Sequence, residues 1–519
     1  MGLTAAATTT HPLYALYRDT WEKLGEVVEG SGGFLDGTAL VAHPREWVDH
    51  KSATPKTPTK KLKARRALAR YENVARVLLD AYTGVLFRVP PVRAVGPDSA
   101  TTPHPLAVWW DDVDGAGTPM DAWMQQAWRA AAAYGHVLAL FDRPSATGPT
   151  AADSEAPFLR LYTPLDLIDW LTDDQGQLTA VCLLEVAPRE NFKTLTTLAR
   201  VREVRQDGWE LRESGVVIES GTWDYDGRVP VEILYGQRRP LTPIIGQSIL
   251  GDPKLYIDVY NLTSEIRELL RLQTFSILNV PLGTGADAIT VEQAKAMSSD
   301  VVGTENAFFS GLPIDYVSPD SGQVEVYQAE RETLLRTIYR LAGVPWEGDA
   351  RQVESGDAQR VKRDEFYARC AAYAAECERF DYTMAEFWFR AEYGEAWERR
   401  YDDAQVTINY PRTFEPEGLE TVLTSAQTAL ALQMPKAFVD KLKSALVPKL
   451  IPSLTPEDQQ LINQAIEAMP DPEVERQQLR QAALDKVSGG AGAEEPDDAV
   501  PEREDEAEDD TEDEEGRPA

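Results

Sequence analysis

Two periods of apolar spacing divide the chain. Spacings of three and four residues mark helices, short apolar runs between turn residues mark strands, and each change of period marks a boundary. The first forty residues are rich in Thr, Ala and Gly, and only 12–28 carries a helical pattern. Leu68, Tyr71, Val74, Leu78 and Tyr82 then recur at three and four, predicting one amphipathic helix of about twenty residues that Gly84 stops. A further helix is predicted over 119–133, with Trp123 and Ala127 on one face and Gly135 behind it. The apolar run 137–141 is short enough for a buried strand. Between 157 and 239 the segments FLRLYTP, LTAVCLLEV, ARVREVRQ, WELRES and VPVEILYG are broken by DDQGQ, QDG and YDG turns, which predicts a β-rich module.

Asp252 and Pro253 then supply an N-cap and a first-turn proline for a helix running to about Phe275. Leu255, Val259, Leu262, Ile266 and Leu269 repeat along it at four and three, leaving Glu265, Arg267, Glu268 and Arg271 off the stripe. So narrow a stripe suits packing against other helices over a length of about 33 Å. The region 277–326 is short and mixed in pattern, with strand-like ENAFFSG and GQVEVYQ. A helix over 329–342, an interruption reading GVPWEGDARQVESG and a long helix over 357–393 follow. Tyr367, Cys370, Ala374, Cys377, Met384 and Trp388 mark the buried side of the long helix. VTINYP reads as a last strand, and 416–469 as helix punctuated by Pro435, Pro448, Pro452 and Pro456. The fold class these patterns predict is α+β, mainly helical.

Charge changes the picture more than composition does. With 43% apolar residues among 519 the chain can build sizeable cores, and it carries a net charge of −33. Positions 488–519 hold 15 acidic and 2 basic residues without an aromatic, a composition that cannot bury a core and predicts a disordered acidic tail. The preceding 487 positions still carry −20, and such a surface repels phosphate instead of holding nucleic acid by counterion release. That argues against a conventional DNA-binding domain but not against a channel in which DNA must not stick. No long apolar run predicts a membrane span, and the first eleven residues lack the basic start and apolar core of a signal peptide, so a protein kept inside the cell is expected.

Candidate chemistry is sparse. Cys182, Cys370 and Cys377 have no metal-ligand spacing, and seven residues between the last two place both on one helical face, as a packed apolar face requires. Motifs of the GxxxxGK[ST], HExxH, CxxC and GxSxG kinds are missing. His11, His43, His50, His104 and His136 all lie in the first part of the chain, four of them in expected loops, where a structural role is the ordinary one. Gly283 and Gly285 in PLGTGAD have no lysine behind them to complete a phosphate loop, and Asp111-Asp112, Asp173-Asp174 and Asp402-Asp403 read as solvated turns. The basic run Lys60, Lys61, Lys63, Arg65 and Arg66 reads as a solvated helix start, with contact to DNA or an acidic partner as the other reading. The expectation is therefore no enzyme, no cofactor and no metal.

Two segments, taken in order, resemble the portal proteins of tailed bacteriophages. AHPREWVDHK, a basic stretch and RYENVARVLLDAYTGVLFRVPP are similar to that family's N-terminal helices. GVPWEGDARQVESGDAQRVKRDEFYARCAAYAAECERF resembles its turn, variable loop, SGxA-type start at Ser355-Gly356-Asp357-Ala358 and long helix. The resemblance covers about residues 40–470 as an order of elements. It implies a flexible N-terminal arm at 1–50, a wing of helices and a β-rich subdomain at 51–246, a first stem helix at 247–276, a clip at 277–327 and a second stem helix at 328–342. Beyond these it implies a tunnel loop at 343–356, a long wing helix and strand at 357–414 and a helical crown at 415–487, ahead of the tail at 488–519.

On this reading Leu255, Val259, Leu262, Ile266 and Leu269 pack the stem, and Trp346, Glu347, Asp349 and Arg351 face DNA. The family further implies a homo-oligomeric ring of about twelve subunits at the portal vertex of the capsid. Double-stranded DNA would pass through it non-specifically. The expected partners are the terminase large subunit, the head-tail adaptor and the major capsid protein. Two other classes stand beside this one: another phage head component, such as a head-completion or minor capsid protein, and an enzyme that gathers dispersed carboxylates around a metal.

Overall fold

In the computed structural model the described residues are 10–43, 46, 59–96, 103–143, 156–186, 199–274, 277–281, 290, 292–293, 307–310, 315–317, 322–346, 356–414, 424, 427–428, 432, 434–450, 456–469 and 481. They fall into two units, Met1–Phe414 and Glu415–Ala519. The architecture is α+β, with helices and several sheets, most of their strand pairs antiparallel.

The first unit opens with α1 (Pro12–Glu29), which starts on a proline, is capped by the His11 ring accepting from the Leu13 amide at 3.2 Å, and ends on Gly30. Tyr14, Trp21, Leu24 and Val27 of α1 are buried, and so are Phe34 of the short α2 (Gly33–Asp36) and Leu40 beyond it. The described part of 1–50 is therefore packed core and not a loose arm: a composition rich in small residues concealed a stripe of large ones.

The single helix expected through Leu68 and Tyr82 is two, α3 (Lys60–Leu68) and α4 (Val74–Leu86). Thr59 caps the first and Asn73 caps the second, accepting from the Arg76 amide at 2.9 Å. A strong capping residue five positions after Leu68 restarts the helix, leaving Leu68 45% exposed, while Gly84 lies inside α4 and stops nothing. After the short strand β1 (Val92–Ala94) come α5 (Pro105–Trp110), capped by His104, and α6 (Met120–Tyr134), which Gly135 ends at φ 103°.

The expected buried strand is β2 (His136–Asp142), every residue of it buried. It lies in the middle of a three-stranded sheet between β3 (Phe158–Tyr162) and β9 (Val231–Tyr235), antiparallel to both. A second sheet is an antiparallel meander of β4 (Leu167–Thr172), β5 (Leu178–Val186), β6 (Ala199–Arg205), β7 (Gly208–Glu213) and β8 (Val216–Thr222). The β-rich module is present, but it forms parts of two sheets. Strands β4 and β8 were not among the segments read from the sequence.

Three long helices follow: α7 (Pro253–Thr274), α8 (Gly322–Ala342) and α9 (Gly356–Tyr393). Helix α9, 38 residues and about 57 Å long, buries Phe366, Cys370, Tyr373, Ala374, Cys377, Phe380, Met384 and Trp388 against α4, β9 and their neighbours. Trp123 of α6 stacks on Phe380 with centroids 5.9 Å apart. After α10 (Trp397–Ala404) the chain returns as β13 (Thr407–Asn409), paired antiparallel with β1. At the centre of this packing Arg93 donates to the buried Asp381 at 2.7 Å and to Tyr410 at 3.0 Å, and also pairs with Asp121. The second unit contains α11 (Lys436–Leu450) and α12 (Pro456–Glu467), and Pro456 takes the first helical position as expected of a proline. No helix among the described residues is long and apolar enough to cross a membrane.

Candidate functional site

Helices α7 and α8 form an antiparallel pair in which Arg331 donates to Thr263 at 3.1 Å near the middle and Leu341 approaches Gly251 at the far end. Asp252 caps α7, accepting from the Lys254 amide at 2.9 Å. Between the two helices lies a small sheet of β10 (Ile277–Pro281), β11 (Ala307–Ser310) and β12 (Asp315–Val317), in the order β11-β10-β12, parallel on one side and antiparallel on the other. Strand β11 is the expected ENAFFSG strand. GQVEVYQ is not a strand: α8 begins at Gly322, seven residues ahead of the expected start at Ala329. Alternation would bury Val324 and Val326 together. The helical turn separates them, Val324 being 8% and Val326 68% exposed.

Along the expected apolar stripe of α7, Val259 and Ile266 are buried and Leu255, Leu262 and Leu269 partly so. The face buried deepest is centred elsewhere, on Tyr256, Val259, Tyr260, Asn261 and Ser264. A strap from the first fifty residues covers it. Asn261 accepts from the Val41 amide at 2.7 Å and donates to Ala39, while the Tyr260 hydroxyl donates to the Phe34 carbonyl at 3.2 Å. A buried polar Asn among large side chains was the available signal for this contact.

The basic run meets α7 as well. Lys61 pairs with Glu268 at 3.1 Å, and buried Arg65 pairs with buried Glu46 at 2.7 Å and donates to the Val41 carbonyl. Part of this run is thus an ion-paired wall against the acidic side of α7. Arg65 departs from the solvated start expected of it, because α3 turns Leu62 and Arg65 inward together.

The end of α8 is built with more hydrogen bonds than a simple connector needs. Gly343 at φ 72° donates to Arg340 at 3.1 Å and Val344 donates to Tyr339 at 3.0 Å, the paired bonds of a Schellman motif, and Pro345 follows. Tyr82 from α4 donates to the Ala342 carbonyl at 2.6 Å, using up another of the helix's terminal acceptors. Phe366 and Tyr373 of α9 and Trp128 of α6 surround the Tyr82 ring at centroid distances from 4.7 to 6.2 Å, and burial pushes the pKa of its hydroxyl upward. The loop that follows therefore leaves from a fixed point.

Of the four residues proposed for that loop, Trp346 is partly buried and meets Tyr339 edge-on at 4.9 Å, its indole nitrogen without a partner among the described residues. Glu347, Asp349 and Arg351 lie outside the described residues.

Among the described residues no other cluster of chemically reactive side chains is present. The described residues hold no cluster of His, Cys, Asp and Glu suited to a metal. Burial raises the thiol pKa of Cys370 and Cys377 far from the reactive range. His136 is fully buried in β2, where desolvation lowers its pKa to about 3, and His11 and His104 cap helices.

No protein-family model matches the sequence, and no curated protein is similar to it. Among solved structures, the chain is similar to one in the virion of a native gene transfer agent (GTA) particle. That match has a TM-score of 0.36 and 13% identity over 69% of this chain and 84% of that one. It is also similar to a chain in the neck of an empty GTA particle computed with C6 symmetry, at TM-score 0.40 and 13% identity over 72% of this chain and 89% of that one. Likenesses of this grade leave the functional argument to the chain's own residues.

Proposed function

We propose that the chain is a non-enzymatic structural subunit of a phage-like particle, a portal protein whose copies close into a ring around a channel for double-stranded DNA. One observation supports this most: the antiparallel pair α7 and α8 carries a separate three-stranded sheet at one end and, at the other, a firmly anchored loop base leading into α9. A hairpin with a contact module at one end and a fixed loop at the other suits a wall element repeated about an axis. The β10–β12 sheet would be the surface for the terminase large subunit and the head-tail adaptor. The loop between Gly343 and α9 would face DNA.

Charge supports the same reading. In a ring of about twelve copies a net −33 per chain multiplies to several hundred, and repulsion from all sides centres a polyanion and removes adhesive minima along its path. On this reading the protein belongs to the virion, at the capsid vertex, in contact with the major capsid protein. Native mass spectrometry of the purified chain tests it: the expected species is a closed ring of one multiplicity near twelve. A monomer, a trimer or an open series of sizes would refute it.

A further inference from the structure

We infer that the cavity between α1, the connection from β9 to α7 and the end of α8 is a binding site for a small organic acid, one carboxylate on an apolar body, with Arg239 holding the carboxylate. The inference does not rest on the DNA-channel reading.

The fold fixes the walls. The chain between β9 and α7 is tied to itself and to the junction of α6 and β2. The Gln247 amide donates to the Gln237 carbonyl at 2.8 Å, the Ser248 hydroxyl to the Ala133 carbonyl at 2.6 Å, and the Gly246 amide to the ring of buried His136 at 3.3 Å. Residues of α1 line the same cavity, and so does Leu341 of α8. Its volume is about 550 Å³, within the range of small-molecule sites and more than one acidic side chain of a neighbouring protein would fill.

Arg238 and Arg239, adjacent in sequence, differ in their partners. Arg238 is matched by Glu376 through two contacts, at 2.8 and 3.0 Å. Arg239 is partly buried, lies over the Tyr17 ring at 5.0 Å and donates to the Tyr17 hydroxyl at 2.8 Å. It has no carboxylate partner among the described residues, and its buried Nε has no acceptor there. In a chain with 85 acidic residues, a cation drawn partly out of water without a counter-charge is costly unless a bound anion supplies one.

The other lining groups select the anion. Lys23 is held by Asp19 at 2.6 Å, and Asp252 is engaged as the cap of α7 by the Lys254 amide at 2.9 Å. Arg239, Lys23 and Lys254 face two carboxylates around the cavity, which leaves the balance of one negative charge and favours a carboxylate over a doubly charged phosphate. The planar fork of an arginine matches the two oxygens of a carboxylate. Trp21, Leu24 and Leu341 offer apolar surface to the rest of the molecule.

The test is titration of the full-length protein with para-fluorophenylacetate, followed by fluorine NMR, beside para-fluorophenylacetamide, which has the same shape without the charge. Saturable binding of the acid is expected, about tenfold tighter than the amide. Arg239→Gln should weaken the acid to the level of the amide and leave the amide unchanged. Leu341→Trp, which narrows the cavity with Arg239 intact, should weaken both, and it carries the test if Arg239→Gln does not fold. Equal binding of the acid by the wild type and Arg239→Gln would overturn the inference, and so would the absence of saturable binding. Displacement of the acid by equimolar inorganic phosphate would overturn the choice of a carboxylate. Loss of the oligomer in Arg239→Gln, with no acid bound by the wild type, would assign the counter-charge to a neighbouring copy and remove the free ligand.

Discussion

Gly343 occupies a left-handed conformation, and a Cβ there would come within 2.4 Å of the Arg369 guanidinium. Gly343→Ala should therefore cost about 1–2 kcal/mol, measured as a lower urea midpoint with unchanged slope. Asn261 holds the strap of the first fifty residues on α7 through two hydrogen bonds, to Val41 and Ala39. Asn261→Ala leaves buried backbone groups unpaired, and a loss of about 2 kcal/mol with early proteolysis near residues 35–43 is expected.

His136 gives a pH signature. It is neutral when folded because burial depresses its pKa to about 3 from 6.5, so the unfolded chain binds the extra proton between those values. Its contribution to stability is complete above pH 6.5 and declines on acidification, by about 1.4 kcal/mol per pH unit at most. His136→Gln should flatten the fall of the melting temperature between pH 6.5 and 4; an unchanged slope would show that carboxylates such as Glu185, whose hydrogen bonds from Arg202 and Tyr162 outweigh its burial and hold its pKa low, carry the acid sensitivity alone.

At the scale of elements, the sequence revealed periods more faithfully than boundaries. The long helix, the buried β2, the turn-broken strands and the stripe on α7 were legible because each rests on a run of apolar residues at one spacing. Valines at 324 and 326 fitted two periods equally, and only the packing of α8 on α7 chooses between them. The break at Asn73 was written in a capping residue, a signal weaker than the apolar period running through it. Ile338→Ala, at a fully buried position of α8, should cost about 2–5 kcal/mol, whereas Val326→Ala on the same helix should change stability by under about 0.5 kcal/mol. Thermal or urea unfolding distinguishes them, and equal losses would mean that Val326 is packed as deeply as Ile338.

Of the candidate site, the hairpin could be read from spacing. Its anchorage could not, since Tyr82, Val41 and Lys61 reach it from segments distant in sequence and no local pattern records such contacts.

For the whole molecule, the unequal placement of charge separates shape from solubility. The segment 488–519 carries −13 without aromatic residues, so its deletion should leave the number of subunits in the oligomer unchanged, as native mass spectrometry would record. The account as a whole depends on an acidic chain assembling around an opening. End-on electron-microscope images of the purified full-length protein test that most directly. Round particles of uniform symmetry with a central hole wide enough for a duplex are predicted; filled discs, filaments or single copies would contradict it.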